Sequence, residues 1–272
     1  MKQIILVIVV CVSFLLPFVS GAEPTPAPAP TPTPAPAPKP APPAPAPPKK
    51  VEPPTIKWSG NIEGTFSNTV GLLNTSNTTL KSDLYGDNSS FKLYAGLLYL
   101  RGKTNNALTS FQRRAEIKAD RKLTANFYGY LQQVFDANQI TQLDMGSRSS
   151  GGLGYHFVKT DKVKESVDIG SSYNAESYDN LTLRKRTYSY QSSNIFYWKI
   201  TTGLELYHRY EYLPKTSDLK NFRTRSDGSL KIYIGKHLYS NFGMINEYDS
   251  APASAATPRH KATILTTIGF KF

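Results

Sequence analysis

The chain has 272 residues, a formal net charge of +12 and one cysteine, Cys11, which lies in the amino-terminal leader. Once the leader is cleaved no thiol remains, which excludes disulfides, thiol catalysis and cysteine-ligated metals. The basic balance points to anionic partners such as lipopolysaccharide phosphates. Export argues against nucleic acid, and no nucleic-acid motif is present.

Residues 1–22 read as a signal peptide: Lys2, an apolar run from Ile4 to Phe18, then Pro17 and Ser20-Gly21-Ala22 as helix break and small-residue cleavage pattern. The run is shorter than the ~20 residues of a spanning helix, which favours cleavage over an uncleaved anchor. Val10 stands before Cys11 where a lipoprotein signal needs a small residue, so no lipid anchor is expected. Residues 23–54 alternate Ala-Pro and Thr-Pro. Proline removes backbone donors and fixes φ, so this tract is a disordered, extended polyproline segment with a contour on the order of 100 Å. It is either a stiff spacer or a periplasmic tether that touches peptidoglycan or a partner protein. With Lys2 and the tract's charges set aside, +10 remains on residues 55–272.

Residues 55–272 are rich in Tyr, Thr, Ser, Asn and Gly and show no helix-period run. Strands are predicted near 56–67, 78–86, 90–102, 109–119, 123–135, 141–158, 163–173, 183–197, 201–213, 222–234, 238–248 and 261–272. The connections alternate in length. Asp87-Asn88, Asp120-Arg121-Lys122, Lys159–Lys162, Trp198-Lys199-Ile200 and Gly235-Lys236-His237 are short, as periplasmic turns are. Residues 69–77, 103–108, 174–182, 214–221 and 249–260 are longer and would face outward, with 136–140 as the short member of that set. An even strand count in phase with this alternation is the topology of an outer-membrane barrel.

Period-2 patterning orients several strands. In 222–234, Phe222, Leu230, Ile232 and Ile234 would meet lipid while Arg223, Arg225, Asp227 and Lys231 point inward. A lipid-facing Arg or Lys costs ~2–4 kcal/mol at the midplane, so the charges fix the lumen face. Strands 123–135 and 238–248 are apolar on both faces and have no assigned orientation. Tyr188, Tyr190, Phe196, Trp198, Tyr210 and Tyr212 would supply interfacial girdles. The last strand sets Ala262, Ile264, Thr266, Ile268, Phe270 and Phe272 on one face, with Leu265 an apolar exception on the polar face. Ile264, Ile268, Phe270 and Phe272 are the expected signal to the barrel-assembly machinery. The fold class is therefore all-β: an antiparallel transmembrane barrel of about twelve strands behind a proline-rich segment.

Leu153-Gly154-Tyr155-His156-Phe157 before the Lys159–Lys162 turn resembles a glycine-tyrosine strand end of the salt-induced outer membrane protein (YdiY-like) family. Tyr210-Glu211-Tyr212-Leu213-Pro214, Asn246–Pro252, the closing Thr266–Phe272 and Trp58-Ser59-Gly60 through Gly64 are similar to its other landmarks. The Gly-Asn usual after the first strand is missing, and the proline tract lies outside the pattern. The resemblance implies an outer-membrane barrel without an established biochemical role, and it supplies no catalytic residues.

Chemistry is sparse. His156, His208, His237 and His260 have no metal-ligand spacing. A lipid-facing Ser-His pair would be the mark of a phospholipase-like enzyme; His208 faces outward, but no particular serine stands out. Gly151, Gly152 and Gly154 precede no helix and read as strand kinks rather than a phosphate loop. The constellation that matters is the set expected in the lumen: Arg114, Glu116, Lys118, Asp144, Arg148, Glu205, Arg209, Glu211, Arg223, Arg225, Asp227 and Lys231. It forms either a salt-bridged plug or the lining of a narrow basic pore for small anionic or polar solutes, because twelve strands lie between the filled eight-stranded and open sixteen-stranded barrels. The expectation is a non-enzymatic envelope protein of the bacterial outer membrane, structural and stress-related or a small channel, with no cofactor. The alternative is a binding protein that uses extracellular loops or the proline-rich arm.

Overall fold

The computed structural model describes residues 55–70, 74–178, 184–252 and 257–272; the expected signal peptide and proline-rich tract, 1–22 and 23–54, lie outside these residues. The described chain forms twelve strands: β1 (Lys57–Thr69), β2 (Thr75–Asp87), β3 (Phe91–Thr104), β4 (Ala107–Lys122), β5 (Phe127–Asn138), β6 (Leu143–Lys159), β7 (Val163–Tyr178), β8 (Lys185–Thr201), β9 (Leu204–Pro214), β10 (Phe222–Tyr233), β11 (Leu238–Asp249) and β12 (His260–Lys271). Each strand pairs antiparallel with its sequence neighbours, and β1 pairs with β12 to close the sheet into a barrel. Gly60 and Phe272 exchange both backbone hydrogen bonds at 3.0 Å, so the closing aromatic is tied into the seam. Closure joins the two edge strands, the condition for a sheet to cross hydrocarbon.

The side-chain alternation is inverted relative to a water-soluble sheet. On β1, Ile62 is 50 % exposed and its neighbour Glu63 is fully buried; on β12, Ile264 is 81 % exposed and Thr267 only 2 %. Leu97, Leu153, Phe157 and Ile169 likewise lie open on the outer surface, while Asn61, Glu116, Asp168 and Glu211 are buried inside. Apolar outside and polar inside is the arrangement that lipid selects. The molecule is a closed twelve-stranded antiparallel transmembrane β-barrel.

Register also orients the two ambiguous strands. Tyr128, Tyr130, Gln132 and Val134 of β5 point inward, as do Tyr239, Asn241 and Ile245 of β11. Leu265, the apolar exception on β12, belongs to an internal cluster with Leu98, Leu100 and Ile245. Aromatic inner residues lie flat over glycines: a Cβ on Gly154 would fall 2.2 Å from the Tyr128 ring, and one on Gly269 would fall 2.4 Å from Tyr239.

Three connections differ from their expected form. Residues 103–108, expected as a longer outward loop, close to the pair Asn105-Asn106, with φ of 48° and 65°. Two consecutive left-handed residues make the tight hairpin that matches strand twist, and asparagine tolerates them. Trp198-Lys199-Ile200, expected as a turn, stays within β8, where a register shift between Lys199 and Thr201 absorbs the extra residue. Residues 123–126 form the β4–β5 turn, held by the Thr124 hydroxyl accepting from Phe127 N at 3.0 Å, so β5 begins later than expected.

Candidate functional site in the barrel lumen

The inward faces of β4, β6 and β9 bring five charged groups together. Arg209 of β9 donates to Glu116 of β4 at 2.8 Å and to Glu211 of its own strand at 2.5 Å. Glu211 also accepts from Arg148 of β6 at 3.0 Å, and Arg114 of β4 lies 3.3 Å from Glu116 and 3.8 Å from Glu211. β4 and β9 are not neighbours in the sheet, so the Arg209–Glu116 pair spans the interior. Gln132 of β5 joins the lattice by donating to Glu116 at 2.7 Å and accepting from Gln191 of β8 at 2.9 Å.

Similar pairs fill the rest of the lumen. Lys118 reaches across to Asp168 of β7 at 2.6 Å, and the Tyr128 hydroxyl donates to the same carboxylate at 2.5 Å. Lys231 of β10 meets Glu63 of β1 at 3.0 Å, where Tyr239, Asn241 and Thr267 also donate. Glu205 accepts from the Tyr233 hydroxyl at 2.9 Å and lies 3.7 Å from Lys271. Arg225 is paired with Asp227 at 3.0 Å and with Glu247, and Arg223 with Asp249 at 2.8 Å and with Glu176. An isolated buried charge is costly, and each of these carries its counter-charge instead.

Asp144 is the exception among the residues expected in the lumen. It is exposed at the start of β6, where the β6–β7 register shifts between Leu143 and Met145. The extra residue of a bulge breaks the alternation on which Asp144 was expected in the lumen with Arg148. The sequence pattern also passed over half of the lattice. Glu63, Asp136, Asp168, Glu176, Glu247 and Asp249 are carboxylate partners that no assigned face had captured. Their signal was present as period-2 charge on β1, β7 and the unoriented β11.

The interior is therefore charge-matched rather than basic. At the end that carries the longer connections, the lumen widens into a vestibule of about 190 Å³, lined among others by Arg148, Tyr178, Glu176, Arg223, Arg225 and Lys261. Among the described residues no cluster of His, Asp and Glu has the makings of a metal site. On the outer wall, His208 Nε2 lies 2.9 Å from the Ser226 hydroxyl, the lipid-facing pair for which the sequence had singled out no serine.

Solved outer-membrane proteins resemble this architecture. The NanC porin is 10 % identical, with 78 % of this chain and 96 % of that chain covered and a TM-score of 0.46. The KdgM porin, solved in complex with disordered oligogalacturonate, is 10 % identical over 79 % of this chain and 98 % of that one, with a TM-score of 0.39. The translocator domain of the autotransporter NalP from Neisseria meningitidis is 11 % identical over 80 % and 87 %, with a TM-score of 0.39. No curated protein matches the chain in sequence. The family described as "Protein of unknown function, DUF481" matches residues 66–272, and the chain belongs to that family.

Proposed function

We propose that this is a non-enzymatic envelope protein whose barrel holds a narrow solute path shut with paired side chains. The observation that carries this reading is the Arg209–Glu116 pair, which joins β4 to β9 through the interior at 2.8 Å. A path for small anionic or polar solutes opens only where such pairs part. Each lumen arginine sits on a carboxylate, so the resting interior has no surplus of positive charge to filter anions. The outward row Ile264, Ile268, Phe270 and Phe272 serves the barrel-assembly machinery. We read the side that carries both ends of the barrel as periplasmic, a reading under which a proline-rich tract before β1 would reach peptidoglycan.

Single-channel recording in a planar bilayer tests the closed lumen. Folding is first verified by a heat-dependent gel shift. The wild-type protein is expected to stay silent, and Glu116→Ala with Arg209→Ala to give discrete conductance steps. Steady wild-type conductance would overturn this reading. The arm is tested separately: deletion of residues 23–54 is expected to abolish retention on purified peptidoglycan without changing the gel shift.

A further inference from the structure

The seam that closes the barrel is short. β1 and β12 pair at four positions, from Asn61↔Lys271 to Gly64↔Ile268, whereas every other pair of neighbouring strands is laddered over nine or more. Both strands run on past the ladder: β1 continues to Thr69, and β12 begins at His260. At the same register Phe66 would stand opposite Thr266 and Asn68 opposite Ile264, yet neither pair forms. β1 keeps β2 as far as Thr69↔Thr75, and β12 keeps β11 as far as Tyr248↔His260, so only the seam side is left unpaired. Where the ladder stops, the Thr65 hydroxyl donates to the Thr266 carbonyl. Beyond that point Phe66 is 75 % exposed and Ile264 81 %, and Ser67 is exposed although it lies on the inward face. Unpaired edge backbone beside hydrocarbon makes this the place where the wall can part.

Behind the unpaired half of the seam the lumen is apolar. Leu98 and Leu100 of β3 reach past β2 and β1 to meet Leu265 of β12 and Ile245 of β11. Side-chain packing, not backbone hydrogen bonding, latches the two edges there. Contact between leucines is non-directional, so another apolar chain can take a latch residue's place, whereas water or a polar solute cannot. Two inward positions above Leu265 on β12 stands Lys261, which lines the vestibule. Among the described residues its ammonium has no hydrogen-bond partner, and it reaches Glu247 only at 3.7 Å. Arg225 and Gln112 hold the other oxygen of that carboxylate. A slit open to the bilayer, an apolar latch behind it and a free ammonium beyond match a single acyl chain with an anionic head.

We propose that the β1–β12 seam is a lateral gate through which a long-chain fatty acid passes between the bilayer and the vestibule. Its acyl chain enters between Phe66 and Ile264 and takes the place of the contact between the β3 leucines and Leu265. Its carboxylate meets Lys261. This route does not cross the Arg209–Glu116 pair, which spans β4 to β9, so the gate stands or falls apart from the closed solute path.

Cysteine pairs test the gate in the full chain carrying Cys11→Ser, which has no other thiol. Ile62→Cys with Phe270→Cys lies in the laddered half of the seam. Asn68→Cys with Ile264→Cys lies further along the same faces of the same strands, past the ladder. Opposed ladder residues are within disulfide reach, so oxidation is expected to close the first pair about tenfold faster than the second. Equal rates would overturn the gate. The ligand is tested in nanodiscs with palmitic acid that carries a photoreactive diazirine, once a heat-dependent gel shift shows each variant folded. Label is expected on the inward residues Leu98, Leu100 or Leu265 and is expected to be displaced by excess palmitate. Lys261→Gln is expected to lower that inward labelling about tenfold. The matching diazirine hexadecanol has no charge for Lys261 to meet and is expected to label wild type and variant alike. Label confined to outward residues such as Phe66 and Ile264 would be ordinary surrounding lipid and would overturn the ligand. Equal loss of acid and alcohol labelling in Lys261→Gln would overturn the head-group contact.

Discussion

Glu211 concentrates the chemistry of the lumen in one side chain. It is 1 % exposed and takes Arg209 at 2.5 Å and Arg148 at 3.0 Å. Removing its charge leaves Arg148 without a described carboxylate and Arg209 with Glu116 alone. Glu211→Ala is therefore expected to cost about 3–5 kcal/mol, the penalty for breaking a buried charge pair from one side, measured as a lower urea midpoint in lipid vesicles. Exchanging Glu211, Arg209 and Arg148 together for apolar residues of similar size should restore most of that loss, because Glu116 keeps Arg114 and no charge is then stranded. On the outer wall, His208 and Ser226 satisfy one another where hydrocarbon offers no other partner, which suffices to explain the pair. A serine-directed fluorophosphonate probe is expected to leave Ser226 unlabelled in folded protein; stoichiometric labelling lost in His208→Ala would mean an activated nucleophile.

Strand existence was legible because each crossing must alternate, whereas turn geometry depends on residues the alternation does not reach. The twelve predicted segments match the twelve strands, and the misjudged places are a bulge at Asp144, a bulge after Lys199, the β4–β5 turn at 123–126 and the Asn105-Asn106 hairpin. A bulge adds a residue without altering composition, so period-2 reasoning carries the wrong face past it. Asn105-Asn106 did carry a turn signal, but it lay inside a stretch taken as a loop. Both residues have positive φ. Replacing both with valine is expected to cost roughly 1–2 kcal/mol per residue, because a β-branched side chain is strained there, while Asn106→Gly should be neutral or better. Refolding yield and urea midpoint read the difference.

The lumen as a whole divides between two kinds of filling. Leu98 and Leu100 of β3 meet Ile245 of β11 and Leu265 of β12 in an apolar cluster, whereas the span from β4 to β9 is filled by Arg, Glu and Gln. Lumen charge was readable from the basic residues, which alternate conspicuously with apolar neighbours. Glu116, Glu205, Glu211 and Asp227 were readable in the same way, but Glu63, Asp136, Asp168, Glu176, Glu247 and Asp249 lie on β1, β5, β7 and β11, to which no inward face was assigned; what looked like a basic lining is a paired one. The surplus charge of the barrel lies instead at its ends, on residues such as Lys159, Lys162, Arg184, Arg186, Lys220 and Lys236. The two fillings predict opposite responses to the same loss of volume. A cavity walled by Leu and Ile stays dry, since water there finds no partners. A cavity left among Arg114, Arg148 and Gln132 fills with water and carries ions. Leu98→Ala with Leu265→Ala is thus expected to destabilise the barrel by about 2–5 kcal/mol per site and leave the bilayer silent. Glu116→Ala with Arg209→Ala removes side chains in the polar half and is expected to conduct. Conductance from the leucine pair, with silence from the charged pair, would place the closure in the apolar cluster and not in the ion-pair lattice.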